Sequence, residues 1–159
     1  LSGQKKRLKT QIFKKKLMKS TITDKNATHA ESIFRMHLAM FTDPTMTREA
    51  YSNLWTEDAT HEYPYAPAPY SKEVKGRDAI TEYIANVTQS ATNWSFTNFT
   101  FSATSDPDTV FVEFEGSALV TATGKRYQQI YIGRITLRGG KIAHYREFWN
   151  PSWILDAFL

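Results

Sequence analysis

Apolar residues recur at three- and four-residue spacing from about Asn26 to Phe41, where Ala30, Ile33, Phe34, His37, Leu38 and Phe41 fall on one helical face. Thr28 with Glu31 three positions on is a capping-box pair that would start this helix, and Thr42-Asp43-Pro44 stops it. The pattern predicts a second short helix over about Thr47 to Trp55, with Tyr51, Leu54 and Trp55 inward. A strand follows from Ala59 to Tyr65, in which His61, Tyr63 and Tyr65 share a face opposite Thr60, Glu62 and Pro64. Ala66-Pro67-Ala68-Pro69 reads as a stiff loop, because each proline fixes its own φ and restricts its predecessor. Gly76-Arg77-Asp78 opens a third helix with Ile80, Tyr83, Ile84 and Val87 as its apolar stripe.

After about Ala91 the period switches to two. Strands are expected at Trp94 to Ala103, Val110 to Thr121, Lys125 to Leu137 and Ile142 to Trp149. Their connections, Ser105-Asp106-Pro107-Asp108, Thr123-Gly124 and Arg138-Gly139-Gly140-Lys141, are short turn signals, which implies an antiparallel meander. Pro151 ends the last strand, and Ser152 to Leu159 reads as a short apolar tail or helical turn. Helices first and a meander of long strands afterwards indicate an α+β fold, with the helices covering one face of a strongly curved sheet.

Composition narrows the chemistry. A length of 159 residues at 41% hydrophobic and 14% aromatic is enough for a real core, and the aromatic load suggests an apolar cavity or a large interface. The absence of Cys excludes disulfides, thiolate metal sites and a cysteine nucleophile. No apolar run approaches the roughly 18–20 residues of a membrane span.

The formal charge of +4 is local. Leu1 to Leu17 carries Lys5, Lys6, Arg7, Lys9, Lys14, Lys15 and Lys16 and no acid; the remainder holds 13 basic and 16 acidic residues, a net of −3. Residues 1–17 are therefore read as a basic tail, non-native or disordered, and residues 18–159 as one domain, Met18 being a plausible start. The competing reading of the tail is an arm for nucleic acid or an anionic membrane; the acidic remainder points away from both. The tail also lacks the compact apolar stretch of a secretory signal, so a cytoplasmic location is expected. Four Asn-x-Ser/Thr sequons, at Asn26, Asn86, Asn93 and Asn98, read as chance in an Asn/Thr-rich chain.

There is no glycine-rich phosphate loop, no His-x-x-x-His pair and no nucleophile elbow, and the four histidines are scattered; no metal or cofactor is expected. The final strand is the informative element. Alternation puts Tyr145, Glu147 and Trp149 on one face and His144, Arg146 and Phe148 on the other. If the first face is interior, Glu147 is a carboxyl group in an apolar wall, with its pKa raised toward neutrality as a general acid or base requires. If it is exterior, Glu147 pairs with Arg126, Arg134 or Arg146. Tyr127, Gln129 and Tyr131 share a face of the preceding strand and could orient a polar ring substituent or simply pack. His37 reads as a core histidine, and His61 as either a core residue or a pocket residue beside Tyr63.

Taken in order, Leu54-Trp55-Thr56-Glu57-Asp58-Ala59, Glu62-Tyr63-Pro64-Tyr65-Ala66-Pro67, Gly76-Arg77-Asp78-Ala79-Ile80, Tyr127-Gln128-Gln129-Ile130-Tyr131 and Tyr145-Arg146-Glu147-Phe148-Trp149-Asn150-Pro151 resemble the SnoaL-like branch of the nuclear transport factor 2-like superfamily, which includes the ketosteroid isomerases. The resemblance spans about Asn26 to Trp153. It implies three N-terminal helices over a cone-shaped antiparallel sheet, a pocket open at one end, and a homodimer. Ketosteroid isomerases use an aspartate base and a protonated aspartate beside a tyrosine. Tyr63 and Gln129 stand where those aspartates would be, and the first helix has no tyrosine, so that mechanism is not implied. The last strand is closest to phenazine-biosynthesis A/B proteins, whose Arg-Glu-Phe-apolar-Asn pattern matches Arg146-Glu147-Phe148-Trp149-Asn150 and whose glutamate faces the cavity as an acid.

The expected function is a cofactor-independent pocket enzyme of isomerase, cyclase, dehydratase or condensation type, acting on a small hydrophobic oxygenated ring compound. Glu147 would shuttle a proton. Gln129, Tyr63 and Tyr131 would hydrogen-bond a carbonyl or enolate, Asn150 would orient the substrate, and Tyr145, Trp149 and Trp94 would form walls with His61 beside them. The alternative is a non-catalytic ligand-binding or dimerisation module of the same fold.

Overall fold

Two asparagines bend the longest edge of the sheet. In the computed structural model, which describes residues 29–159 together with Arg7, Gln11, Ile12, Lys14 and Lys15, strand β3 (Ala91–Ala103) pairs antiparallel with β4 (Thr109–Val120). The register slips between Thr92 and Ser95 and again between Thr97 and Thr100, where β3 uses one more residue than β4. Asn93 and Asn98 sit at those slips with φ of 55° and 56°. Asparagine tolerates the left-handed region better than other side-chain-bearing residues, so it can hold the extra residue of a bulge. The bulges explain the sequence spacing. Trp94 and Phe96, then Phe99 and Phe101, all pack on the core although three positions separate Phe96 from Phe99. Each bulge also bends the strand, which curves the sheet.

The meander follows the expected turns. β4 leads to β5 (Arg126–Arg138) and β5 to β6 (Lys141–Trp149), each pair antiparallel. Gly139 and Gly140, both at positive φ, form the two-residue turn that pairs Arg138 with Lys141. The alternation on β4 holds: Val110, Val112 and Phe114 are buried and Phe111, Glu113 and Glu115 are exposed.

Four features differ from expectation. Trp55 begins β1 (Trp55–Glu62), and α2 is only Arg48–Ser52, capped by the Thr47 side chain. A short strand, β2 (Glu73–Lys75), pairs with β1 after the proline loop. The sheet is mixed rather than wholly antiparallel: its order is β2-β1-β6-β5-β4-β3, and β1 runs parallel to β6. A meander read along the chain constrains only sequential neighbours, and the partner of β1 is the meander's last strand. Finally, residues 151–158 form a full helix, α4 (Pro151–Phe158), capped by the Asn150 side chain accepting from Ser152 N at 3.0 Å. Thr123 Oγ1 and Lys125 Nζ donate to the carbonyls of Ala157 and Asp156, tying the end of α4 to the β4–β5 turn.

The helices cover the concave face. On α1 (residues 29–42), Ala30, Phe34, His37 and Leu38 are buried, and Phe34 packs edge-on against Phe101, Phe114 and Tyr145. α3 (Arg77–Gln89) lies against β1 with Ile80 and Ile84 inward. The Thr28–Glu31 cap, the Asn26 sequon and most of the basic N-terminal segment lie outside the described residues.

Candidate functional site

The curved sheet and the helices enclose an open cavity of ≈ 310 Å³. Every element except α2 and β2 contributes to its wall. Glu147 and Trp149 come from β6, Tyr127 and Tyr131 from β5, Phe114 from β4, Trp94 and Phe96 from β3, and His61 from β1 with Tyr63 just past its end. His37, Leu38 and Phe41 of α1 and Tyr83, Asn86 and Val87 of α3 face them, and Ile154 and Phe158 of α4 complete the ring. Among the described residues the lining holds one carboxyl group, two imidazoles and no Lys or Arg.

Glu147 lies on the inner face of β6. Burial raises its pKa to about 7, against opposing contributions from hydrogen bonds with Tyr145 and Trp149. The Tyr145 hydroxyl donates to its Oε2 at 2.6 Å. The arginines that could have paired with it belong to the other face. Arg146 Nε is 3.4 Å from Glu62 Oε2, and Arg134 Nη2 is 3.4 Å from His144 Nδ1, whose Nε2 meets Glu62 at 2.9 Å. Tyr145 itself is fully buried behind Glu147 rather than on the cavity wall. Its ring lies over Gly133, where a Cβ would stand 2.7 Å from Tyr145 Cε2.

The histidines on the wall are neutral near pH 7. His37 is buried and its pKa falls to about 3; its Nδ1 meets the Tyr51 hydroxyl at 2.9 Å. His61 is 1% exposed, and burial, with the charges of His37 and His144 adding, lowers its pKa well below the ordinary value. Its Nδ1 meets the Tyr63 hydroxyl at 2.9 Å, its ring stacks on Tyr145 at 4.5 Å, and its Nε2 has no hydrogen-bond partner. The Tyr127 and Tyr131 hydroxyls meet at 2.8 Å. Burial raises all these phenols above their ordinary pKa, so they stay protonated as neutral hydrogen-bonding groups.

The residues singled out from sequence divide accordingly. Glu147, Tyr63, Tyr131, Trp149, His61 and Trp94 meet at one cavity. Gln129 and Asn150 do not. Gln129 is 2% exposed, and its amide is engaged at both ends: Nε2 donates to Asn150 O at 2.9 Å, and Oε1 accepts from Asn150 N at 3.0 Å and Ile130 N at 3.1 Å. It anchors the start of α4 and does not line the cavity, and Asn150 is the cap of that helix. Sequence reading left out Tyr83, Tyr70, Phe158 and Ile154. The apolar stripe of α3 already named Tyr83, but nothing local signalled that the last residues fold back over the mouth.

Among the described residues no cluster of three or more His, Cys, Asp or Glu could hold a metal ion, and no helix is long and apolar enough to cross a membrane.

The family profile described as the SnoaL-like domain matches residues 34–145. YesE, an uncharacterized protein of Bacillus subtilis, is 38% identical over 110 residues, covering 69% of this chain and 75% of that protein. An uncharacterized PhzA/B-like protein of Pseudomonas aeruginosa is 34% identical over 107 residues, covering 67% of this chain and 75% of its own length. A crystal structure from Bacillus subtilis, provisionally described as an isomerase, superposes with a TM-score of 0.75 at 33% identity, covering 84% of this chain and 94% of that one.

Proposed function

The chain belongs to the SnoaL-like domain family, with a nuclear transport factor 2-like fold, and on that premise we propose that it is a cofactor-independent acid/base enzyme of isomerase, cyclase, dehydratase or condensation type, acting on a small hydrophobic oxygenated ring compound. The observation that carries this reading is the Glu147 carboxyl, set in an aromatic wall with no cationic partner among the described residues and pushed by burial up to about 7. Such a group is about half ionised at neutral pH, so it can both take and return a proton. A cavity of ≈ 310 Å³ falls at the small end of ligand pockets and suits one or two rings.

In this mechanism the Glu147 carboxylate removes a proton from the carbon next to a ring carbonyl. The C–H electron pair moves toward the carbonyl oxygen, giving an enolate. One hydroxyl of the Tyr127–Tyr131 pair donates to the other and leaves the second proton free for that oxygen. Glu147 then returns its proton to the same carbon or to a conjugated one.

Exchange of ring α-protons in deuterium oxide, followed by NMR over a panel of cyclic ketones, tests this. Glu147→Gln is expected to lower the exchange rate by about 10²–10⁴-fold, the usual contribution of one positioned acid or base. Undiminished exchange by a folded Glu147→Gln protein favours the non-catalytic binding module. We also propose a homodimer, supported by exposed Phe111, Leu119, Ile130 and Ile132 on the outer face of the sheet. A monomeric mass by light scattering at micromolar concentration overturns it.

A further inference from the structure

We propose that the cavity selects a ligand carrying a positively charged nitrogen, so that the ring compound it takes is an amine. This inference rests on the reading of the cavity as the substrate site and specifies the substrate's charge. Three observations carry it.

The first is the charge of the wall. Among the described residues Glu147 is its only acidic residue and no Lys or Arg faces it. An anionic substituent would enter an apolar space with no counter-ion and with a carboxyl group already present. A carboxylate or phosphate is therefore disfavoured on two counts.

The second is the aromatic surface. Tyr63, Tyr83, Trp94, Phe96, Tyr131 and Trp149 surround the space from different elements and at different inclinations. Ring faces carry partial negative charge and attract ammonium groups, more strongly when water is excluded.

The third is the state of the polar atoms. The Tyr63 hydroxyl is bonded to His61, those of Tyr127 and Tyr131 to each other, and that of Tyr145 to Glu147. His37 is likewise engaged, by Tyr51. Each paired phenol or imidazole shares one proton and leaves one free, so the wall can still donate to a carbonyl oxygen, but no full positive charge faces the cavity: it offers ring faces, hydroxyl lone pairs and one carboxylate. A cation is complementary to that set. A cation near Glu147 would also favour its ionised form, which burial otherwise penalises.

Isothermal titration with three ligands of one shape tests the proposal: cyclohexylammonium, cyclohexanol and cyclohexanecarboxylate, all at pH 8. The ammonium is expected to bind at least about tenfold more tightly than the alcohol, and the carboxylate not to bind measurably. Glu147→Gln should reduce the preference for the ammonium while retaining affinity for the alcohol. Trp94→Leu should weaken the ammonium more than the alcohol, and the melting temperature of each variant reports whether it has folded. Equal or tighter binding of the alcohol, binding of the carboxylate, or no binding of any of the three overturns the proposal. The α-proton exchange above reads Glu147 chemistry on ketones without an amine, so the two readings fail separately.

Discussion

Tyr145 and Glu147 stand two residues apart on one strand, and the phenol of the first donates to Oε2 of the second at 2.6 Å. Residues so placed share a face of the sheet but stand nearly 7 Å apart along it, about the length of a tyrosine side chain. The ring must therefore lie along the strand rather than upright. Gly133 lies directly opposite Glu147 on β5, and its missing side chain is the space the ring leans across. A backbone position on one strand thus sets the hydrogen bond of the group we assign to proton transfer on the next.

Tyr145→Phe is expected to keep the fold and raise the pKa of Glu147 above about 7, because the lost hydrogen bond favours the ionised form. The acidic limb of the pH–exchange profile, where the carboxylate base is lost to protonation, should move upward, and carbon NMR of labelled glutamate should show the same direction. An unchanged titration would mean that Tyr145 only fills space.

Gly133→Ala is expected to be worse than its size suggests. The added Cβ would stand 2.7 Å from the Tyr145 ring and 3.1 Å from Val112. Overpacking of this kind costs about 1–3 kcal/mol, which urea denaturation would register. The displaced phenol should also carry the Glu147 titration in the same direction as Tyr145→Phe.

Gln129→Ala distinguishes anchoring from substrate contact. It removes the acceptor for the backbone N–H groups of Asn150 and Ile130, a loss of about 1–3 kcal/mol where such groups are buried. Because α4 supplies Ile154 and Phe158 to the cavity, ligand affinity should fall several-fold while the Glu147 titration stays in place. Had Gln129 contacted the reacting carbonyl, the chemical step would fall instead.

The pH dependence of stability follows from three buried groups. His37 and His61 have depressed pKa values, so below about 6.5 the unfolded chain binds protons that the native one does not, and stability falls as the pH drops. Glu147 is raised from 4.5 to about 7, so it contributes stability that is complete below 4.5 and lost as the pH rises through 7. Between 4.5 and 6.5 two histidine protons oppose one glutamate proton, and stability should rise with pH by about 1.4 kcal/mol per unit. Glu147→Gln should steepen that rise to about twice the slope and remove the decline from 6.5 to 7. Urea midpoints across this range check both slopes.

Asn98 should accept Gly and resist Val. At φ 56° a β-branched side chain is strained, by about 1–2 kcal/mol, whereas glycine is free of the clash. A Val variant as stable as the parent would mean that the bulge is not held by its conformation.

Local pattern carried much of this molecule. Alternation along β6 put Tyr145, Glu147 and Trp149 on one face, paired glycines marked the β5–β6 turn, and three- and four-residue spacing marked the buried side of α1, because each depends only on residues a few positions apart. The partner of β1, the engagement of Gln129 by Asn150, and the closing of the cavity by α4 were not legible, since each joins distant positions or depends on where a chain end folds back. Whether Glu147 faced an arginine or an aromatic wall was of that second kind. Period two says that one face differs from the other, but only the curvature set by the β3 bulges and the helices packed inside it decide which face is buried and strip water from that carboxyl group.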